Sequence, residues 1–495
     1  MRCIGQAALL AASTLILCAL VLCAPVFAQE AALPPLDWKK GAVNAAITAT
    51  AAPDGSQVGG TSKLELDTAG LKAAVTGTII TNTSRDAARD APPMVRAVTD
   101  PGSWTKAQLG VRATATGPIG STIELTGQQQ ISQSVSPYAL GSGAARQTLE
   151  TQSRSGAVKT IVPLLSGLDA EVGGAVAQSS TRNATMGGDA GTHLQTGDTE
   201  VSGALTYRLN DKVKFNGGVA VEQQDVELNR DQSKAASYGF VKPKAGVTVT
   251  PWPGATADVG VEHAVEPLSG GNYMALSSVS ERPQDLRITP DRAWQYKASV
   301  KQAVGAASIG ASFVEGRAGT ATELAPIAGG QTPASVELNK KQKATVAISL
   351  PLEAFGLSDT ELQSQATWRQ SRVRDPVTGR LRRANGEVPR EASVNLTKDL
   401  PGTDTKIGLS GQLGTTRRLY QVNQTTQMQQ SPRVGAFLSY APGPLSLDVR
   451  VDGLMGGTQQ FTDTLYNGSR NGPVSGTNTR KAGDTHISFS FSRKM

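Results

Sequence analysis

Thiols are nearly missing from this 495-residue chain. Its three cysteines, Cys3, Cys18 and Cys23, all fall before position 28. That stretch reads as a secretory signal peptide. Arg2 supplies the positive start, and an apolar run from Ala7 to Leu22 is broken only by Ser13, Thr14 and Cys18. Val26-Phe27-Ala28 suits a cleavage site before Gln29. The exported chain would then hold no thiol, which excludes a disulfide-stapled scaffold and Cys-ligated metal. After the signal, no apolar run is long enough for a spanning helix.

Charge and aromatic rings are also scarce. Charged residues make up 18%, aromatics 4% and hydrophobic residues 39%. So little charge argues against a disordered solvating chain, and so few rings argue against several dense cores. The net charge of +7 over this length is a weak basic bias, giving no reason to expect a nucleic-acid partner. His193, His263 and His486 lie far apart, so no metal or other cofactor is expected. No P-loop, Gly-x-Ser-x-Gly elbow or His-Glu-x-x-His occurs, and no nucleophile–base pair supports an enzyme.

What is present is alternation with period two, the signature of half-wetted strands. Leu445, Leu447, Val449 and Val451 oppose Ser446, Asp448, Arg450 and Asp452. Ala255, Ala257, Val259 and Val261 oppose Thr256, Asp258, Gly260 and Glu262. Ile407, Leu409 and Leu413 oppose Lys406, Ser410 and Gln412, and Ile487, Phe489 and Phe491 oppose His486, Ser488 and Ser490. No amphipathic helix of useful length competes with these patterns.

Connections alternate in length. Tight turns are expected near Gly117, Ser166, Asn210, Pro253, Gly305, Phe355, Pro401 and Pro442. Between them lie polar stretches near 83–103, 135–149, 182–197, 228–235, 269–291, 319–335, 374–387, 417–430 and 457–482. Segregation of loop length by parity is the habit of membrane barrels, and no short fixed repeat suggests a solenoid. The expected fold is all-β: a closed antiparallel transmembrane β-barrel of about 20 strands, within a range of 18–22. Short turns would be periplasmic and long loops extracellular. Residues 1–28 would be the signal peptide, 29–40 a short periplasmic segment and 41–495 the barrel, placed in the bacterial outer membrane. Closure follows from physics, because hydrocarbon leaves no solvent to pair a free strand edge.

Particular residues acquire expected places. Trp252 and Tyr440 sit beside turns and suit the inner aromatic girdle, and Trp368 suits the outer one. Asp258, Glu262, Asp448, Arg450 and Asp452 fall on polar strand faces and would line the lumen, Asp448 to Asp452 as a salt-bridge ladder. Arg369, Arg372, Arg374, Arg380, Arg382, Arg383 and Arg390 spread over two strand ends and the loop between them. They could bind lipopolysaccharide phosphates or select anionic solutes, or stay a solvated loop. Tyr273, Phe461 and Tyr466 lie in expected loops as a candidate ligand surface.

Some blocks resemble a known family. Thr367-Trp368-Arg369, Arg374-Asp375-Pro376-Val377-Thr378-Gly379-Arg380, Arg390-Glu391-Ala392-Ser393-Val394-Asn395-Leu396 and Asp399-Leu400-Pro401 are similar to the late barrel of TonB-dependent outer-membrane receptors. Pro243 through Pro251 and Thr289 through Trp294 are similar to other parts of that barrel. The resemblance spans roughly 200–495. It implies a barrel of about 22 strands, occluded by an N-terminal plug and driven by contact with a TonB-linked partner. Departures stand out at both ends. Residues 29–40 are too few for a plug domain of about 100 residues, no TonB-box-like segment is seen, and the chain ends in Met495 where the family usually has Phe.

Two function classes remain open. One is solute passage or uptake across the outer membrane, by a barrel lacking its own plug or using one from a separate chain. The other is a non-transporting structural or surface-interaction barrel; a secreted soluble adhesin is a third. Expected partners are outer-membrane lipid, lipopolysaccharide, the barrel-assembly machinery and a TonB-linked protein.

Overall fold

The computed structural model describes residues 42–52, 55–68, 71–84, 103–117, 120–136, 147–185, 192–229, 233–266, 289–327, 330–443, 445–482 and 486–493. The expected signal peptide, the segment 29–40 and much of three expected loops (with Tyr273) lie outside these residues. The strands are β1 (Ala42–Ala52), β2 (Gly55–Thr68), β3 (Leu71–Ser84), β4 (Ser103–Thr116), β5 (Thr122–Ser136), β6 (Gln147–Leu165), β7 (Leu168–Thr185), β8 (Thr192–Asn210), β9 (Val213–Asn229) and β10 (Ser233–Val249). They continue as β11 (Ala255–Glu266), β12 (Asp291–Val304), β13 (Ala307–Ile327), β14 (Gly330–Pro351), β15 (Thr360–Arg374), β16 (Leu381–Arg382), β17 (Arg390–Leu400) and β18 (Thr405–Gln412). The last are β19 (Thr415–Tyr420), β20 (Gln424–Gln430), β21 (Arg433–Tyr440), β22 (Leu445–Gly456), β23 (Gln459–Tyr466), β24 (Val474–Ala482) and β25 (His486–Arg493).

Consecutive strands pair antiparallel in one 21-stranded sheet, in which β16 contributes two residues. The sheet curls until β25 lies beside β1, with Cα atoms within 8 Å. Each strand expected from alternation has its counterpart here.

The curl gives the sheet a concave and a convex face, and polarity is distributed inversely to that of a soluble protein. On β9, Val219 and Val221 are 45% and 56% exposed, whereas Ala220 and Glu222 are 7% and 2% exposed. Val201, Leu205, Val241, Val259 and Val300 are likewise open on the convex face. Each such side chain left in water forgoes about 1.5–3 kcal/mol of burial. A continuous convex row of them calls for an apolar surrounding rather than solvent.

Turn geometry fixes the register at the end where the connections are short, the turn end. Gly254 adopts φ 80° and accepts a hydrogen bond from the Ala303 amide at 2.8 Å. A Cβ there would sit 2.2 Å from the Ala303 carbonyl oxygen, so only glycine fits. At Gly408 a Cβ would meet the Phe437 ring at 2.3 Å, since the two are paired across the β18–β21 ladder.

The opposite end is taller than the sequence implies. Stretches near 182–197, 228–235 and 319–335 were expected as loops, yet β7 to β10 and the β13–β14 hairpin run through most of them. The polar stretches 417–430 and 457–482 form a second, four-stranded sheet in the order β19-β20-β23-β24. A bulge marks where this tower begins: Ala318 has φ 52°, and the β14–β15 register shifts between Leu338 and Lys340. Lys340 therefore faces outward, while Leu338 turns inward onto Ala293 and Val373.

Candidate functional site

The concave wall between β12 and β18 is polar by strand parity. Lys343 of β14, Gln365 and Arg369 of β15, Glu391 and Ser393 of β17 and Gln412 of β18 all project inward. The four-stranded sheet leans over this wall. Arg417, Met428, Phe461 and Arg480 are successive cross-strand partners on its inner side. Between wall and sheet lies a cavity of about 700 Å³ lined by Lys343, Arg369, Arg417, Glu391 and a run of glutamines.

Its charge is unbalanced. Arg369 donates to Glu391 at 2.7 Å and to the Val388 carbonyl at 3.4 Å. Among the described residues, Arg417 reaches only the Met428 sulfur, at 3.2 Å, and burial pulls its pKa downward. Among the described residues, neither Arg417 nor Lys343 has a carboxylate partner. Cations held in a partly desolvated recess favour an anion with several hydrogen-bonding oxygens. A second cavity of about 530 Å³ lies along the same wall, lined by Ser299, Ser312, Thr345 and Asn395. The two share Gln365 and Ser393, so one polar path runs from the tall end toward the turn end.

A buried ionic clamp fixes the roof. Asp375 takes both arms of the Arg470 guanidinium, one at 2.7 Å, and the Val377 amide at 2.9 Å. Arg382 lies 3.1 Å from Asp375 and donates to Glu323 at 2.8 Å. The Asn385 amide also donates to Glu323, at 2.8 Å. The guanidiniums of Arg382 and Arg470 sit 4.2 and 5.3 Å from the Tyr420 ring centroid. Burial opposes the charge on Asp375, but Arg470, the Val377 amide and Arg382 more than offset it and hold its carboxyl well below the usual range. At Glu323 burial prevails over Arg382 and the pKa is raised.

The arginines grouped by sequence are divided by the structure. Arg369 lines the cavity and Arg382 enters the clamp. Arg372, Arg374 and Arg390 face outward, with Arg374 3.3 Å from Glu337. Arg383 lies 3.9 Å from Glu387, and Arg380 closes a turn whose carbonyl accepts from the Asp375 amide at 2.9 Å. Asp258 lies on the concave wall and accepts from Thr248 at 2.7 Å and Ser299 at 3.0 Å. Glu262 pairs with Lys297. Asp448, Arg450 and Asp452 share the concave face of β22, with Arg450 and Asp452 3.2 Å apart, and lie away from the cavity.

Trp252 is exposed at a turn between β10 and β11 and donates to Gln302 at 2.6 Å, and Tyr440 ends β21 at the same side. Trp368 is exposed on the convex face toward the tall end, where Trp294 and Tyr296 join it. Sequence reasoning missed Lys343, Arg417, Glu323 and Arg470. Parity along β14 marks Lys343, whereas Arg417 and Arg470 fall in stretches that read as loops.

No protein-family model matches the chain. No curated protein matches it by sequence. Solved structures do match. The copper transporter OprC is 10% identical with a TM-score of 0.63, over 92% of this chain and 80% of that one. The ferripyoverdine receptor of the outer membrane of Pseudomonas aeruginosa is 11% identical at 0.62, over 92% and 72%. The FrpB iron transporter from Neisseria meningitidis is 11% identical at 0.59, over 92% and 81%. The fold is that of TonB-dependent outer-membrane receptors. These TonB-receptor neighbours are transporters and receptors rather than enzymes.

Proposed function

We propose that this chain is an outer-membrane barrel of the TonB-receptor type that passes or takes up a polar, anionic solute. The connected cavities on the concave wall, with Lys343, Arg369 and Arg417 at the wider one, carry the reading. In it, the approach of β25 to β1 is the barrel seam, the tall end faces outside and the turn end faces the periplasm. The neighbours' names, which specify an iron transporter, a copper transporter and a ferripyoverdine receptor, support uptake as the class of activity. A signal peptide at 1–28 would export the chain and the barrel-assembly machinery would insert it. Contact with a TonB-linked partner would drive uptake.

Transport here is selection by wall chemistry. A solute would exchange part of its hydration for the cationic recess, then move along hydroxyl and amide side chains that bind too weakly to trap it. Reversal potentials in planar bilayers test this. The K343Q/R369Q/R417Q variant should lose the anion preference of the parent, and unchanged selectivity refutes the site. A structural, non-transporting barrel is the second reading, favoured by the buried clamp that holds the roof down. Liposome swelling separates them, since only a transporter swells.

A further inference from the structure

The cations of the wider cavity form a pattern. Lys343 of β14 stands directly opposite Arg369 of β15 on the concave face. Like charges so placed, with Cβ atoms about 4.5–5.5 Å apart, destabilise a sheet. Arg417 adds a third cation from the roof. Against these three, Glu391 is the sole carboxylate among the lining residues.

Most of their donors are open. Arg369 bonds to Glu391 and to the Val388 carbonyl through one terminal nitrogen, Nη1. Arg417 bonds to the Met428 sulfur through Nε. Among the described residues, the other guanidinium nitrogens of both arginines and the Lys343 ammonium have no protein partner. Two rows nearer the turn end, Gln365, Ser393 and Gln412 are successive cross-strand partners on β15, β17 and β18. All three line the cavity, and among the described residues their side chains have no partner either. Amides and hydroxyls both donate and accept, so this row matches a body that carries hydroxyl groups.

We infer that the cavity takes a phosphate monoester of a hydroxyl-rich body, the chemistry of a sugar phosphate. Such an ester carries a charge of about −1.5 to −2 at pH 7 and three acceptor oxygens. It neutralises the surplus of two positive charges and offers an oxygen to each of Lys343, Arg369 and Arg417. The planar fork of arginine suits those oxygens. A carboxylate brings one charge and two oxygens, and leaves one cation of the opposed pair uncompensated. A sulfate ester has the three oxygens but a single charge. The inference rests on the uptake reading and names its substrate class.

The test is calorimetric titration of the full chain in detergent with glucose 6-phosphate, glucose 6-sulfate, glucuronate and inorganic phosphate. Glucose 6-phosphate should bind about tenfold more tightly than each of the others. Lys343→Gln and Arg417→Gln should each weaken it about tenfold. Gln365→Ala should weaken glucose 6-phosphate and leave inorganic phosphate unchanged. Arg374→Gln, on the convex face, should change nothing. The comparison of the four probes uses the parent protein, so it decides the matter even where a variant fails to fold. No binding of glucose 6-phosphate, equal affinity for the sulfate ester, the sugar acid or inorganic phosphate, or unchanged binding in the Lys343 and Arg417 variants would each overturn the assignment. Reversal potentials score the uptake reading separately: an anion preference without discrimination among these probes would sink the phosphate ester and leave that reading standing.

Discussion

The roof clamp makes the sharpest quantitative prediction. Arg470 is 6% exposed at its side chain and Asp375 2%, so their pairing is shielded from solvent. Replacing Arg470 by Met removes two bonds to Asp375, one to the Gln421 carbonyl and the stacking on Tyr420. Asp375 keeps only Arg382 and the Val377 amide. Breaking a buried pair by deleting one partner costs about 3–5 kcal/mol, which corresponds to a roughly 10²–10⁴-fold rise in local opening. Hydrogen exchange should therefore accelerate by that factor at the residues tied by the clamp, including Val377, Asn385 and Gly472. The heat-induced mobility change that reports the barrel itself should stay put. The pH response follows from the same groups. The depressed pKa of Asp375 contributes stability that is lost only as pH falls through its folded value, below the usual carboxylate range. The raised pKa of Glu323 acts oppositely, contributing stability as pH falls and losing it as pH rises. Acidification from pH 7 to about 5 should then leave the parent's roof closed. Exchange in the Met variant equal to that of the parent, or a parent roof that opens on mild acidification, would refute the reasoning.

Other consequences are simpler. Gly408→Val should lower the thermal transition by forcing Phe437 aside and crowding the Leu396 carbonyl, which a Cβ would meet at 2.8 Å, at about 1–3 kcal/mol; Phe437→Ala should restore only the share owed to the ring, and no shift in the single variant would remove the packing argument. Val221→Arg should weaken folding into lipid vesicles by about 2–4 kcal/mol, whereas Gln223→Arg, one outward position further toward the tall end, should cost far less. Trp252→Ala should remove the bond to Gln302, which keeps its own donation to the Ala303 carbonyl, and blue-shift no other tryptophan, so a change in Trp368 emission would contradict their separation to opposite ends.

The strand order was legible because one physical constraint acts along it. Wherever apolar Val219 and Val221 must face out and Glu222 must face in, the sequence alternates and the strand declares itself. Beyond the apolar band both faces are polar, so the alternation fades although the ladder persists. That is why β13 continues past Arg317 and why β19, β20, β23 and β24 read as loops. The arginine block failed as a unit for a related reason. Neighbouring positions such as Arg369 and Arg372 fall on opposite faces, which composition cannot express. The clamp was hidden by distance, since Asp375 and Arg470 are 95 positions apart and only the hairpin stacking brings them together.

The account rests on an apolar convex face around a wet interior, and spin-label accessibility across β9 tests that most directly. With single cysteines placed in turn from 217 to 224 of the reconstituted protein, odd positions should collide with lipid-dissolved oxygen and even positions with a water-soluble relaxant. A phase reversed by one residue, or no alternation at all, would contradict it.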